Sequence, residues 1–245
     1  MQTKWKACIL AGKFIVVSAL FGSSMALEAQ ELLDVTASIK AVSDSEPGEA
    51  PKSARPPAAI WLTSLDRADH IAPDKSRTYT LLQKNKQFTP HLLVVPVGSI
   101  VHFPNEDPFF HNVFSLFDGR RFDLGLYEAG SSKEVTFGRE GISYIFCNIH
   151  PEMSAVVIAL ATPFYGVEGK DGRIHISGVP AGEYLLHVWA EGEDQVALNA
   201  LNHRVRVGPD HADLGLISLP QPPHPARPHE NIYGQKYETR EPSIY

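Results

Sequence analysis

The sequence predicts an all-β protein made of β-sandwiches. Nineteen prolines and eighteen glycines divide the chain into short apolar runs, many of them rich in β-branched residues. Runs of this kind between turn residues are typical of strands, and helical periodicity is poor throughout. Strands that follow one another without helices between them favour sheets packed face to face rather than a mixed α/β fold.

Residues 1–26 have the features of a secretory signal peptide, because basic residues precede a short apolar run and Ser24-Met25-Ala26 is a small-x-Ala cleavage signal. The apolar run is shorter than the about 20 residues that cross a bilayer, and no later segment approaches that length. We therefore expect a periplasmic protein without a membrane span after cleavage. An uncleaved amino-terminal anchor is the alternative, since the apolar run is interrupted.

Cleavage removes Lys4, Lys6 and Lys13 and no acidic residue, so the formal net charge changes from −6 to −9. An acidic chain argues against nucleic-acid binding, which needs a basic surface, and suits a basic protein partner. Cleavage also removes Cys8, which leaves Cys147 as the only cysteine and excludes an internal disulfide. An unpaired thiol in an oxidising compartment is protected when it binds a metal.

Two strands are predicted before the middle of the chain. Apolar residues alternate over residues 32–40, which places the side chains at odd numbers from Leu33 to Ile39 on one face. Residues 43–57 are polar and rich in proline and predict a loop. Residues 58–64 are apolar again and predict the second strand.

Residues 75–161 predict a sandwich of their own. Two paired strands surround the turn Val97-Gly98-Ser99. Further strand signals lie at residues 78–82, 133–137, 141–147 and 155–160. The total of about seven or eight strands suits a sandwich that the strand at 155–160 closes.

Three soft metal donors follow the strand at 141–147. Cys147, His150 and Met153 stand three residues apart, Pro151 makes the chain turn, and an apolar strand begins directly afterwards. A single Cys, His or Met in an apolar segment is usually part of the core. All three in one short loop are hard to explain by packing. A thiolate, an imidazole and a thioether suit copper, which takes a trigonal His₂Cys set with a weak axial Met.

The second histidine of such a set should lie on a neighbouring strand. His111 stands where a loop enters an apolar strand, and it completes a predicted set of His111, Cys147, His150 and Met153 around one copper ion. Four protein ligands leave no obvious open position, so no catalytic residue and no enzyme activity are predicted. A Cys–His hydrolase is disfavoured, because Cys147 and His150 share one loop and no third orienting residue is evident.

The spacing Cys-x2-His-x2-Met after an aromatic strand resembles the ligand loop of the blue-copper proteins, the cupredoxins, and is most similar to amicyanin and plastocyanin-like members. Segments between Phe88 and Val113 resemble the first half of the same fold. The resemblance covers residues 75–161 and implies a Greek-key sandwich with one type 1 copper ion. It also implies that Asn112 bonds near the Cys147 sulfur and joins the two ligand loops.

The chain changes character after residue 162. Residues 165–184 predict three strands separated by an Asp-Gly turn and a Pro/Gly turn, and they resemble the small sandwiches called carboxypeptidase regulatory-like domains. That resemblance implies two preceding strands, which residues 30–68 supply. We therefore predict one discontinuous sandwich of residues 30–68 and 162–220, with the 75–161 domain inserted. A separate carboxyl-terminal domain after an amino-terminal arm is the alternative.

The last residues, 221–245, are rich in proline and alternate in charge, which predicts a disordered tail or one wrapped over the surface. His224 and His229 lie in this tail, where histidines are usually solvated rather than metal-bound.

These features predict a periplasmic type 1 copper protein that carries single electrons between redox partners such as a c-type cytochrome or a dehydrogenase. A copper-binding or copper-delivery protein without an electron-transfer role is the alternative, although a chain with three methionines lacks a Met-rich delivery tract. The electron should leave through the edge of His150 beside Pro151, where Phe109 and Phe110 extend an apolar rim. A small apolar contact suits a partner that docks and departs quickly.

Overall fold

The computed structural model describes residues 31–41, 57–66, 77–116, 119–220 and 230–236. The predicted signal peptide, most of the predicted loop at 43–57 and most of the predicted tail, with His224 and His229, lie outside the described residues. The described residues form seventeen strands and one short helix, which confirms the predicted all-β class. Within the described part of the chain, no helix has the length and apolar character needed to cross a bilayer.

Twelve strands precede residue 162. They are β1 (Leu32–Ala41), β2 (Ala59–Ser64), β3 (Tyr79–Thr80), β4 (Leu82–Lys84), β5 (Gln87–Thr89), β6 (Leu92–Pro96), β7 (Ser99–Pro104), β8 (His111–Ser115), β9 (Phe122–Tyr127), β10 (Ser132–Phe137), β11 (Gly141–Cys147) and β12 (Ser154–Leu160). The remaining elements are β13 (Tyr165–Val167), β14 (Arg173–Pro180), β15 (Gly182–Trp189), α1 (Gln195–Leu201), β16 (His203–Val207) and β17 (Asp213–Leu219).

The strands from β3 to β12 enclose a core of their own. A five-stranded sheet has the order β6-β12-β11-β8-β9, and a three-stranded sheet has the order β10-β7-β3. Side chains alternate along β11, so that Ile145 and Cys147 are buried. Both belong to the apolar cluster that also contains Phe103, Phe137 and Met153. The candidate metal ligand Cys147 therefore lies at the end of a core strand.

A tight hairpin of β4 and β5 lies beside this sandwich. Its two turn residues, Asn85 and Lys86, both have φ of 55°. Positive φ at both central residues is the geometry of the two-residue turn that matches the twist of a hairpin. The turn matters for function because its backbone contacts the loop that precedes His111.

The first two strands pair with strands that follow residue 164. β1 lies between β14, to which it is antiparallel, and β17, to which it is parallel. β2 lies between β13 and β15 and is antiparallel to both. The predicted alternation in β1 has a structural counterpart, since Val35, Ala37 and Ile39 are buried.

Strand β12 is buried on both faces. Ala155, Val157 and Ala159 belong to the core around Cys147, whereas Val156 and Ile158 belong to a second cluster formed with strands β1, β2, β14 and β15. A strand covered on both sides has a continuous apolar run rather than an alternating one, as residues 155–160 do. The two sets of sheets consequently share an apolar boundary.

The helix α1 was not predicted. Asp194 caps it by accepting hydrogen bonds from the backbone N–H groups of Val196 and Ala197. With seven residues and one buried side chain, Leu198, it is too short to give a helical period in the sequence.

Candidate metal centre

Two neighbouring strands and one loop bring the predicted donors together. His111 is the first residue of β8 and Cys147 is the last residue of β11, and these strands pair directly, with Cys147 opposite Val113. His150 lies in the short loop that connects β11 to β12. The strand pairing thus fixes two donors, and the loop returns the third towards them.

The three donor atoms form a small triangle. The Cys147 sulfur is 3.5 Å from Nδ1 of His111 and 3.5 Å from Nδ1 of His150, and the two nitrogens are 3.1 Å apart. Separations of this size are those of atoms that share one ion at about 2.0–2.3 Å. His111 and Cys147 are fully buried, while His150 is partly exposed. The donor set therefore fits a buried metal ion with one partly exposed ligand, His150.

The ligand loop is closed by its own backbone. The N–H of Met153 donates to the carbonyl of His150 at 3.0 Å, and the N–H of Cys147 donates to the carbonyl of Met153 at 3.2 Å. The Met153 side chain is fully buried in the same apolar cluster as Cys147. Pro151 is partly buried in this loop. The loop is thus a compact turn that directs its thioether inward.

The environment of the Cys147 sulfur combines burial with backbone donors. Burial raises the pKa of the thiol, while backbone hydrogen bonds from Asn112, Ile149 and His150 oppose that shift without reversing it. Burial also lowers the pKa of His150, and the positive charge of Lys86 acts in the same direction. A neutral imidazole has a free nitrogen lone pair, so this shift favours metal binding by His150.

Asn112 connects the two ligand-bearing segments mainly through its backbone. Its backbone contributes a hydrogen bond to Cys147, and its carbonyl accepts the N–H of Asn148 at 2.8 Å. Its side-chain amide instead donates to Asp123 at 2.6 Å, on β9. Asn112 thereby joins β8, β9 and the ligand loop next to the sulfur.

Asp107 is a partner of His111 that sequence reasoning missed. Its carboxylate is 2.9 Å from Nε2 of His111, and it also accepts the backbone N–H groups of Asn85 at 2.6 Å and Lys86 at 3.0 Å. Burial alone would raise the pKa of Asp107, but the N–H of Lys86, the His111 ring and the N–H of Asn85 together lower it. The available signal was an acid four residues before a predicted ligand. Unless the contact with the hairpin is known, an acid at this spacing does not indicate a partner for the histidine.

Asn105 shapes the loop that holds Asp107. Its side-chain oxygen accepts the N–H of Asp107 at 3.0 Å, and its side-chain amide donates to the carbonyl of Phe109 at 2.8 Å. The residue is buried, with 1% exposure. These two bonds fix the approach of the chain to His111.

The two phenylalanines predicted to form a rim lie in different environments. Phe109 is partly buried, and its ring centroid is 5.4 Å from those of both His111 and His150. Phe110 is 51% exposed. Lys86 places its ammonium 5.7 Å from the Phe109 ring centroid. Phe109 therefore shields the two imidazoles, whereas Phe110 faces solvent.

The known structures to which this chain is similar overlap only part of it. No protein-family model and no curated protein matches it. A copper-containing nitrite reductase from Thermus scotoductus SA-01 is 25% identical over 34% of this chain and 22% of its own, with a TM-score of 0.33. A purple cupredoxin from Nitrosopumilus maritimus is 25% identical over 33% of this chain and 96% of its own, with a TM-score of 0.30.

A reduced amicyanin variant is 20% identical over 42% of this chain and 99% of its own, with a TM-score of 0.32. This chain thus spans about a fifth of the nitrite reductase and nearly all of the two smaller proteins. Because each overlap takes in less than half of this chain at a low TM-score, the candidate metal centre rests on the donor geometry described above.

Proposed function

We propose that the protein is a type 1 copper protein of the cupredoxin kind that carries single electrons between redox partners in the periplasm. The observation that carries this proposal is the triangle of one sulfur and two imidazole nitrogens, with edges of 3.1 to 3.5 Å. His111, Cys147 and His150 would hold the ion in a trigonal arrangement, and Met153 would be the weak axial ligand.

The donor chemistry favours copper. A thiolate, two imidazoles and a thioether bind both Cu(II) and Cu(I), and copper in such a set supplies a one-electron couple. The loop that carries two of these donors is closed by its own hydrogen bonds, and Cys147 and Met153 are fully buried. A site that moves little during electron transfer suits a carrier.

Electron transfer is favoured over catalysis because of access. His111, Cys147 and Met153 have no exposed surface, and the Phe109 ring lies against both imidazoles. A catalytic metal needs an open coordination position for its substrate. An electron needs only contact with the partly exposed His150, and it enters or leaves there without any bond being made.

The proposal extends to location and partners. A periplasmic redox protein, such as a c-type cytochrome or a dehydrogenase, would dock at His150, and the acidic chain would steer a basic partner. Support comes from the two exposed apolar residues next to the proposed ligands, Phe110 and Ile149.

Titration of the purified protein with Cu(II), followed by visible absorption and voltammetry, tests the proposal. We expect one equivalent of copper to give an intense blue colour, because a short bond between copper and thiolate gives strong charge transfer. Cys147→Ser should abolish the colour, while replacement of the exposed Ile149 by Val should preserve it. A pale spectrum from the wild type, or a blue protein without a reversible one-electron wave, would contradict an electron carrier. The second outcome would favour copper delivery.

A further inference from the structure

A segment near the carboxyl terminus is attached to the ligand loop. The backbone N–H of Ile232 donates to the side-chain oxygen of Asn148 at 2.9 Å. Asn148 lies directly after Cys147, and its own N–H is bonded to the carbonyl of Asn112. The contact therefore joins residues 230–236 to the part of the loop that positions the proposed ligands.

This segment has a defined internal structure. The side-chain oxygen of Asn231 accepts the N–H groups of Tyr233 at 2.9 Å and Gln235 at 3.0 Å. The backbone of Asn231 exchanges two further bonds, with the carbonyl of Gln235 and the N–H of Gly234. Gly234 has φ of +71°, which favours glycine at this position of the turn. Sequence analysis predicted a tail that is disordered or wrapped over the surface, and it did not predict a turn within residues 221–245.

The turn presents an exposed aromatic side chain one residue from its contact with the ligand loop. Tyr233 is 79% exposed, although the adjacent Ile232 is partly buried. Two apolar residues of the metal centre are also exposed, Ile149 at 45% and Phe110 at 51%. Ile149 directly follows Asn148, the residue that anchors the turn. Exposed aromatic and apolar side chains around one functional residue are typical of a contact surface.

We propose that residues 230–236 form a fixed part of the docking face around His150, where Tyr233 contacts an incoming redox protein whose own contact face is apolar. This inference rests on the proposed electron-transfer function. The occupant follows from the exposed apolar side chains of the face, because Tyr233, Ile149 and Phe110 offer ring and hydrocarbon surface beside the charged Lys86 and Glu152. Tyrosine is among the residues that contribute most to such contacts.

Electron self-exchange between Cu(I) and Cu(II) copies of the full protein tests the inference, because two copies present the same face to each other. Line broadening in NMR spectra of mixtures gives the rate constant. Tyr233→Asp should lower it by at least about fivefold, since a charge facing the same charge across a small contact is strongly unfavourable. The small anion hexacyanoferrate(III) needs no docking face. Its rate of oxidation of Tyr233→Asp should therefore differ by less than about twofold from its rate with a control variant that carries the same added charge elsewhere.

Val196→Asp is the matched control, because Val196 is 77% exposed on α1 and the variant adds the same charge. The inference is overturned if Tyr233→Asp and Val196→Asp have the same self-exchange rate. A colourless Cu(II) protein would overturn the proposed function and this inference with it, whereas a blue protein with equal rates overturns the inference alone.

The anchoring contact has a test that needs no metal. In the metal-free protein, the Ile232 amide should exchange its hydrogen more slowly than the amide of the exposed Lys236, because it is bonded to Asn148. Asn148→Ala should remove this difference. Equal exchange of the two amides in the wild type would show that the turn is not held on the ligand loop, and would overturn the proposal.

Discussion

At the scale of single residues, Asp107 decides which nitrogen of His111 is available. A carboxylate 2.9 Å from Nε2 accepts the proton carried there, which leaves the lone pair of Nδ1 directed towards Cys147 and His150. The same carboxylate is held by the hairpin turn at Asn85 and Lys86. The turn between β4 and β5 therefore orients the His111 ring through Asp107, although neither strand contributes a metal-binding atom.

Asp107→Asn should weaken Cu(II) binding by roughly ten- to a hundredfold, because residues that orient a ligand imidazole have effects of this size. It should also raise the reduction potential, since a negative charge beside the imidazole stabilises Cu(II) relative to Cu(I). Competition titration and voltammetry measure both quantities. Glu106→Gln removes the same charge from an exposed neighbouring side chain, which pairs with Lys84. An equal shift in that control would mean that only net charge matters.

Met153 should tune the metal rather than hold it. Met153→Leu conserves most of the buried volume and should cost less than about 1.5 kcal/mol of stability. It should keep the copper and the colour and raise the potential, because a weak donor to Cu(II) is lost, whereas Met153→Gln should lower the potential. Voltammetry of both variants provides the measurement. Unchanged potentials in both would place the thioether outside the coordination sphere.

The sequence indicated the candidate donor residues but not the residues that hold them in place. Cys147, His150 and Met153 share one loop, so their spacing alone indicated a common role. Asp107 and Asn148 act through contacts with Lys86 and Ile232, which are distant in the sequence. Such contacts depend on how strands and turns pack in three dimensions, and they cannot be inferred from a single sequence.

At the scale of elements, β6 and β12 connect the sandwich that carries the candidate metal centre with the sheets around β2 and β15. His91 stands just before β6, donates its Nδ1–H to the carbonyl of Ser154, and is paired through Nε2 with Glu191, which follows β15. The hydrogen bond with Glu191 raises the pKa of His91 more than burial lowers it. The pair therefore links two layers in a way that depends on pH.

Because the pKa of His91 is raised in the folded state, the direction in which its contribution to stability changes with pH is defined. The stabilisation from protonated His91 is fully present below the pKa of about 6.5 that an unfolded histidine has, and it is lost as the pH rises through the higher folded value. We expect Glu191→Gln to lower the free energy of unfolding of the metal-free protein by about 1 kcal/mol at pH 5.5, with a smaller effect at pH 8. Urea denaturation at several pH values measures it.

Glu183→Gln supplies the comparison, because Glu183 pairs with Arg206, which stays charged over this range. The effect of that variant should not depend on pH. If Glu191→Gln also had the same effect at pH 5.5 and pH 8, the His91 imidazole would not be the titrating group.

Element boundaries were predicted best for strands whose buried apolar side chains extend over the whole strand. The predicted strands at 141–147 and 155–160 agree with β11 and β12 within one residue, because their apolar patterns extend over the whole strand. The hairpin of β4 and β5 has three residues in each strand, and its turn uses Asn85 and Lys86 rather than glycine. Short elements stabilised by such local geometry give weak patterns, which also explains why α1 was missed.

At the scale of the whole molecule, we propose that residues 30–68 and 162–220 fold as one unit, with residues 75–161 inserted. The pairing of β1 with β14 and β17, and of β2 with β13 and β15, supports this proposal. The sandwich that carries the candidate metal centre is not independent of that unit. Leu92, Val156 and Ile158 are buried in the same cluster as Ile60 and Trp189, so separating the two would expose an apolar face.

This shared core predicts a single unfolding transition, which two natural probes can follow separately. Trp61 and Trp189 are the tryptophans beyond the predicted signal peptide, and both lie in the sheet of β2 and β15. The copper colour would depend on Cys147, in the other sandwich. We expect the tryptophan emission to change to that of solvent-exposed indole at the same denaturant concentration at which the blue absorption disappears.

Ile158→Ala sharpens this test, because Ile158 has 1% exposure at the shared boundary. Removing a buried side chain of this size should lower the stability by about 2–4 kcal/mol, and both probes should shift together. Copper should raise the midpoint reported by tryptophan, although both tryptophans lie in the sheet of β2 and β15, since a ligand that binds the folded state stabilises everything that unfolds with it. If the fluorescence midpoint stayed constant while the midpoint of the colour shifted, the two sandwiches would unfold independently. The insertion of one sandwich into the other would then not couple their stabilities.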